Sequence, residues 1–187
     1  MEFVNFSKIG GGKFITRYDA VYKTSEGNLK NYELISRNPD IKSFDDIKDS
    51  PAEAVVIIAH NEDNSKILLN KEFRMAVGNV AYNFPAGLID PGEDVMTAAK
   101  RELWEETGLD LYEVDEVWPI SYSAVGVMNE RAVVLVGKAK GEFAPSTSAE
   151  EEIEAQWYSK SEMRELLKVS TSFAARTQAY CWLWSKE

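Results

Sequence analysis

The chain is short of the residues on which much hydrolytic and redox chemistry rests. It has one cysteine, Cys181, among 187 residues, so no disulfide can close within it. Cys181 lies in an apolar C-terminal stretch and reads as inert packing. One histidine, His60, ends an apolar strand pattern. That inventory all but removes a histidine metal site or a Ser-His-Asp triad. No run approaches the roughly 18 apolar residues that a membrane helix needs. The N-terminal "MEFVNFSKIGGGK" lacks a basic region followed by an apolar core, so no signal peptide is expected and the cytoplasm is the default. Positive charge is scarce too: 21 Lys and Arg face 31 Asp and Glu, a formal charge of −10. Such a surface argues against nucleic acid or an anionic membrane as the main partner. It leaves room for a small anionic substrate held by a few arginines or a bound cation. The chemistry must come from carboxylates.

What is present is a globular composition, 44% hydrophobic and 28% charged, which excludes a disordered chain. "KFITRYDAVYKT" and "NLKNYELISR" alternate aromatic and β-branched residues around the turn "SEGN" and predict two strands. A polar, proline-bounded linker follows, Asn38 to Pro51. These features divide the chain into a β-rich extension, 1–50, and a main domain, 51–187. In the main domain "AVVIIAH", "KILLNKEFR" and "VAYNF" predict strands, and "PAGLIDPGE" a loop. "DVMTAAKRELWEET" predicts a helix capped by Gly108. Strands resume near Tyr112–Val117, at "ISYSA" and at "RAVVLVGKAK". The acidic "PSTSAEEEIE" leads into "AQWYS", and "KSEMRELLK" and "SFAARTQAYCWLWSK" predict two final helices.

The stretch "RELWEETG" puts Glu102, Glu105 and Glu106 within five residues. At about 100° per residue, Met96, Ala99 and Leu103 form one stripe, with Glu102 and Glu106 beside it and Glu105 a quarter-turn further round. Arg101 can reach Glu105 at i+4. Taken alone, "ELWEE" reads as a solvated acidic helix, since like pairs at this spacing cost only a few tenths of a kcal/mol. The alternative is a carboxylate cluster for a hard divalent cation.

The residues before the helix favour the cluster. Gly87 is followed after five residues by Glu93, then after seven by Arg101-Glu102-Leu103, Trp104, Glu105-Glu106, Thr107 and Gly108-Leu109. This resembles the Nudix box at every specified position. The resemblance implies an α/β (α+β) Nudix fold, a mixed β-sheet between helices with a loop-helix-loop site. It implies hydrolysis of a nucleoside diphosphate linked to another moiety, with Mg²⁺ or Mn²⁺. By position, Glu102 and Glu106 would be principal metal ligands, and Glu105 would complete the cluster or hold a metal-bound water. Glu93 would brace the helix or act through water. Arg101 would orient the glutamates, and the Ala86 carbonyl would be a further ligand.

Flanking features resemble the ADP-ribose and nucleoside diphosphate sugar pyrophosphatase branch. They are the β-rich extension, Arg74 in "NKEFR", "FPAG" entering the box, and "SAVGVMNE" after it. Asn83 stands where Glu is common in that branch, and Val125 where proline is frequent. The resemblance implies Tyr32 stacked on a base, against a strand aromatic in the hairpin core; Arg37 and Arg74 as phosphate forks, against solvated surface arginines; Gly126 as a substrate-binding position; and Glu130 positioning the terminal ribose or a metal water, against a plain loop charge. It implies a homodimer joined through the hairpin around residues 14–37. It also implies a glutamate base from the loop "TSAEEEIEAQW", at Glu151, with Glu150, Glu152 and Glu130 as neighbours in register. A hydrolase of nucleoside triphosphates, a non-catalytic ADP-ribose sensor, and a calcium loop at "DPGED" are the competing readings.

Overall fold

The computed structural model describes residues 1–48, 50–170 and 172–187. The chain forms two compact units, residues 1–53 with 120–132, and residues 54–119 with 133–187.

In the first unit, β1 (Glu2–Gly11), β2 (Thr16–Lys23) and β3 (Leu29–Ser36) form an antiparallel sheet in that order. β2 shows the period-2 pattern of a half-buried strand. Thr16, Tyr18 and Ala20 are buried, and Tyr18 and Ala20 pack with Leu34 and Ile41. The Tyr18 hydroxyl is paired, donating to the Asn38 carbonyl at 2.8 Å. β1 is not expected from the sequence, because its side chains are nearly all exposed and show no alternation. It exists because β2 offers a backbone ladder. The expected linker holds a short helix, α1 (Phe44–Lys48). Asp46 accepts from the amides of Lys42 and Ser43, and Ser43 Oγ accepts from the Asp46 amide, a reciprocal cap. β9 (Ser121–Tyr122) pairs with Arg131 and Ala132, the first residues of β10 (Arg131–Lys140).

The second unit is α+β. Its strands are β4 (Ala54–His60), β5 (Lys66–Arg74), β6 (Asn79–Asn83), β7 (Ala86–Leu88), β8 (Asp110–Val117) and β11 (Ile153–Ser159), with the rest of β10. They run in the order β11-β5-β4-β10-β8, with β6 on β5 and β7 on β4. β7 lies inside the segment expected to be loop. Helix α2 (Val95–Thr107) packs on β4, β7, β8 and β11, while α3 (Lys160–Val169) packs on β11 and on α4 (Ala175–Trp184). The centre is filled by Val55, Ile57, Ile58, Ile67, Leu68, Leu69, Leu103 and Leu135. Burying each of these side chains contributes about 1.5–3 kcal/mol. Cys181 is fully buried, and burial pushes its thiol up to about 12. No helix among the described residues is long and apolar enough to cross a membrane.

Candidate active site

The site grows from the turn that feeds α2. Gly92 takes φ 85°, a conformation that costs glycine little. Asp94 caps the helix: its Oδ1 accepts from the amides of Met96 and Thr97, and its Oδ2 from the Thr97 hydroxyl at 2.6 Å. Gly108 closes it in the left-handed region, its N–H donating to the Trp104 carbonyl at 2.8 Å. Between these caps the helix buries Ala98, Ala99, Leu103, Glu106 and Thr107. Met96, expected in the apolar stripe, is half-buried. Glu106 lies within the buried face itself.

Arg101 is the hub of the box carboxylates. Its Nε and Nη2 donate to the two oxygens of Glu93, at 2.9 and 2.8 Å. Nη1 donates to Glu102 at 2.8 Å and Glu105 at 3.1 Å, and Nη2 also reaches the Leu88 carbonyl at 2.9 Å. The fork to Glu93 is bidentate, the geometry in which arginine differs most from lysine. It holds the Glu93 carboxyl below the usual carboxylate range. Glu93 therefore ties the loop to the helix. Arg101 also answers the repulsion among the three glutamates, bonding two of them directly.

Glu106 is held differently. It is 7% exposed, and its Oε2 accepts from Asn70 Nδ2 at 2.7 Å and from the Ala86 amide at 3.2 Å. Desolvation, then the charges of Glu102, Glu72 and Glu151, raise its carboxyl well above the ordinary value. Both donors fall on Oε2, and Oε1 accepts from no donor among the described residues. Glu102 is also raised, by desolvation first, with Arg101 opposing and Glu105 and Glu151 adding to the rise. Its carboxylate lies against the backbone of Gly87, where a Cβ would stand 2.0 Å from Cδ.

The acidic loop is strapped to the end of α2. The Ala144 amide donates to the Thr107 carbonyl and the Thr147 amide to the Glu105 carbonyl, both at 2.9 Å. Glu151 is exposed on this loop, and its charge acts on both Glu102 and Glu106. Arg74 is paired with Glu72. In the first unit, the Tyr32 hydroxyl donates to the Gly126 carbonyl at 2.7 Å. Arg37 donates through Nε to Glu130, which is buried. Glu53, beside that pair, is raised by desolvation and by Glu130, with Arg37 opposing.

Two polar residues of this site, Asn70 and Glu72, were not expected from the sequence. They alternate on β5, inside "KILLNKEFR". The available signal was an asparagine within a buried apolar run, since a buried amide demands a partner.

The arrangement has close relatives among known proteins. A model of the NUDIX domain matches residues 50–179. The chain is 34% identical over 109 residues to the putative nudix hydrolase 2 of Caenorhabditis elegans, a match covering 57% of this chain and 46% of that protein. It is 63% identical over 43 residues to the ADP-ribose pyrophosphatase of Saccharomyces cerevisiae, which is 23% of this chain and 19% of that one. The chain thus spans less than half the length of these curated relatives. The crystal structure of an ADP compounds hydrolase aligns with a TM-score of 0.73 over 98% of this chain and 91% of its own, at 20% identity, a likeness of fold. A domain model matched along most of the chain agrees with the glutamate helix, its arginine hub and its glycine turn: the protein belongs to the NUDIX domain family.

Proposed function

We propose that the protein hydrolyses the pyrophosphate bond of ADP-ribose or a related nucleoside diphosphate sugar, with a divalent cation, giving a nucleoside monophosphate and a sugar phosphate. The observation that carries the reading is the box helix, on which Arg101 bonds Glu102 and Glu105, Asn70 and the Ala86 amide hold Glu106, and Glu151 lies in electrostatic range of Glu102 and Glu106. The names of the yeast relative and of the structural neighbour support the substrate class.

Among the described residues no three carboxylates converge as a ready cation site, since Arg101 engages Glu102 and Glu105; the donor chemistry is what suits a hard cation. The donors are all oxygens, as Mg²⁺ or Mn²⁺ prefers. The Glu102 carboxylate can lie where it does because residue 87 has no side chain. Among the described residues, Oε1 of Glu106 accepts from no donor. Glu102 and Glu106 would hold the ion, with Glu105 and the Ala86 carbonyl completing the set. When bound, the ion neutralises the pyrophosphate and lowers the pKa of a coordinated water.

The rest is the work of this chain's residues. Glu151 takes the proton of the attacking water as its oxygen bonds to phosphorus and the P–O–P bridge breaks. Glu93 and Arg101 keep the loop and glutamates in register. Tyr32 stacks on the base beside Gly126, whose carbonyl accepts from its hydroxyl, and Glu130 positions the terminal ribose. Arg37 and Arg74 bind phosphate oxygens, which requires their pairs with Glu130 and Glu72 to yield. The functional assembly in this reading is a cytoplasmic homodimer.

The test is a panel of nucleoside diphosphate sugars and triphosphates with Mg²⁺ or Mn²⁺ and product identification. AMP plus ribose 5-phosphate from ADP-ribose is the expected result. Pyrophosphate released from triphosphates, with the sugars untouched, replaces this reading with the triphosphate one.

A further inference from the structure

We infer that Asn70 is a positioning residue for Glu106, fixing which of its carboxylate oxygens is presented to the cation. The inference rests on the proposed role of Glu106 as a ligand. Asn70 stands at the inner end of the buried run of β5 and is 1% exposed. Its Nδ2 donates to Glu106 Oε2 at 2.7 Å, and the Ala86 amide donates to the same oxygen at 3.2 Å. The two donors come from different strands and converge on one atom. They leave the carboxylate a single orientation, with Oε2 toward the sheet and Oε1 without a donor among the described residues. A buried carboxylate held by one donor can rotate about its terminal torsion, which is broad for glutamate. Held by two, it is fixed.

The other end of the amide shows why the residue is asparagine. Asn70 Oδ1 is buried with no hydrogen-bond partner among the described residues. Burying an unpaired carbonyl oxygen opposes folding. A leucine of similar size would suit this strand better as packing. Asparagine here serves the carboxylate and not the fold.

The experiment is a double-mutant cycle read by binding of Mn²⁺ alone, measured calorimetrically on the full chain, with melting in EDTA as the control. Asn70→Leu is expected to weaken Mn²⁺ binding about 10- to 100-fold, the usual effect of losing a partner of a ligand, while the EDTA melt stays near wild type. Glu106→Gln should weaken binding further, and adding Asn70→Leu to it should change nothing more. Wild-type Mn²⁺ affinity in Asn70→Leu, with Glu106→Gln impaired, overturns the positioning role alone. So do effects that simply multiply in the double variant. Wild-type affinity in Glu106→Gln overturns the ligand reading and this inference with it. Asn70→Ala removes the same donor and serves if the leucine variant does not fold; unfolding of both assigns Asn70 to the fold and overturns the inference.

Discussion

The carboxyl group of Glu102 occupies the place where a side chain on residue 87 would begin: a Cβ built on Gly87 would lie 2.0 Å from Glu102 Cδ. The obstructing group is the far end of a flexible side chain, so it can swing away without unfolding the protein. Gly87→Ala should therefore leave the melting temperature close to wild type while displacing the carboxylate. A displacement of this size at a reacting centre costs about 10²-fold in rate. Steady-state hydrolysis and a thermal melt on the same preparation check this. Full activity in the alanine variant would show that the Glu102 position is immaterial.

Glu106 should oppose stability where it serves chemistry. Its carboxyl is raised by desolvation and by neighbouring carboxylates. A carboxyl raised in the fold contributes stability below its ordinary value of 4.5, and that contribution is lost as pH rises through the raised value. Above that raised value, without a cation, the ionised group strains the fold. Glu106→Gln keeps an oxygen to accept from Asn70 and Ala86 and carries no charge. In EDTA, its melting temperature relative to wild type should climb between pH 5 and pH 7.5. Hydrolysis should fall by roughly 10³-fold, the equivalent of the several kcal/mol that a metal site supplies. A variant that is less stable than wild type at both pH values contradicts the argument.

The box could be read in the sequence because its demands are local. Asp94, Gly92 and Gly108 shape a turn and two helix ends, and Arg101 reaches Glu105 within one helical turn. The α+β class follows from apolar runs such as "AVVIIAH" alternating with helix patterns. Asn70 and Glu72 escaped because they meet Glu106 through tertiary packing, 36 residues away for Asn70. β1 escaped for the same reason, since only its pairing with β2 makes it a strand. In α1 the signal was present, a serine and an aspartate three apart, but proline and polar neighbours obscured it.

His60 should titrate below its ordinary range. It is buried, with Nε2 3.3 Å from the Tyr180 hydroxyl and Nδ1 without a hydrogen bond of good geometry among the described residues. Desolvation lowers its pKa from 6.5, with the Lys66 backbone and then the charge of Asp115 opposing, and Lys160 adding to the fall. A base depressed in the fold contributes stability above its unfolded value, and that contribution is lost as pH falls through the folded value. The imidazole signal of the chain's one histidine can be followed by NMR between pH 8 and pH 5. The expected midpoint is below 6.5, with melting temperatures that begin to decline in the same window. A midpoint above 6.5 would place the ring in water or beside an unopposed carboxylate.

The last prediction concerns the base. An attacking water must lose its proton, and the box glutamates are already engaged: Glu93, Glu102 and Glu105 by Arg101, and Glu106 by Asn70 and Ala86. Glu151 is exposed, sits on the loop anchored to the end of α2, and is felt electrostatically by Glu102 and Glu106. It acts on those carboxylates and makes no hydrogen bond with Arg101 among the described residues, which leaves it free to accept a proton. Glu151→Gln preserves size and removes basicity. It should lower kcat by roughly 10²–10⁴-fold, the range for general base catalysis. KM and Mn²⁺ affinity should change little, because the group acts mainly in the transition state. The parallel variants Glu150→Gln, Glu152→Gln and Glu130→Gln make the measurement decisive. A Glu151 variant with wild-type kcat beside an inactive neighbour would transfer the role to that neighbour. Equal loss of kcat and Mn²⁺ affinity at residue 151 would make it a ligand instead.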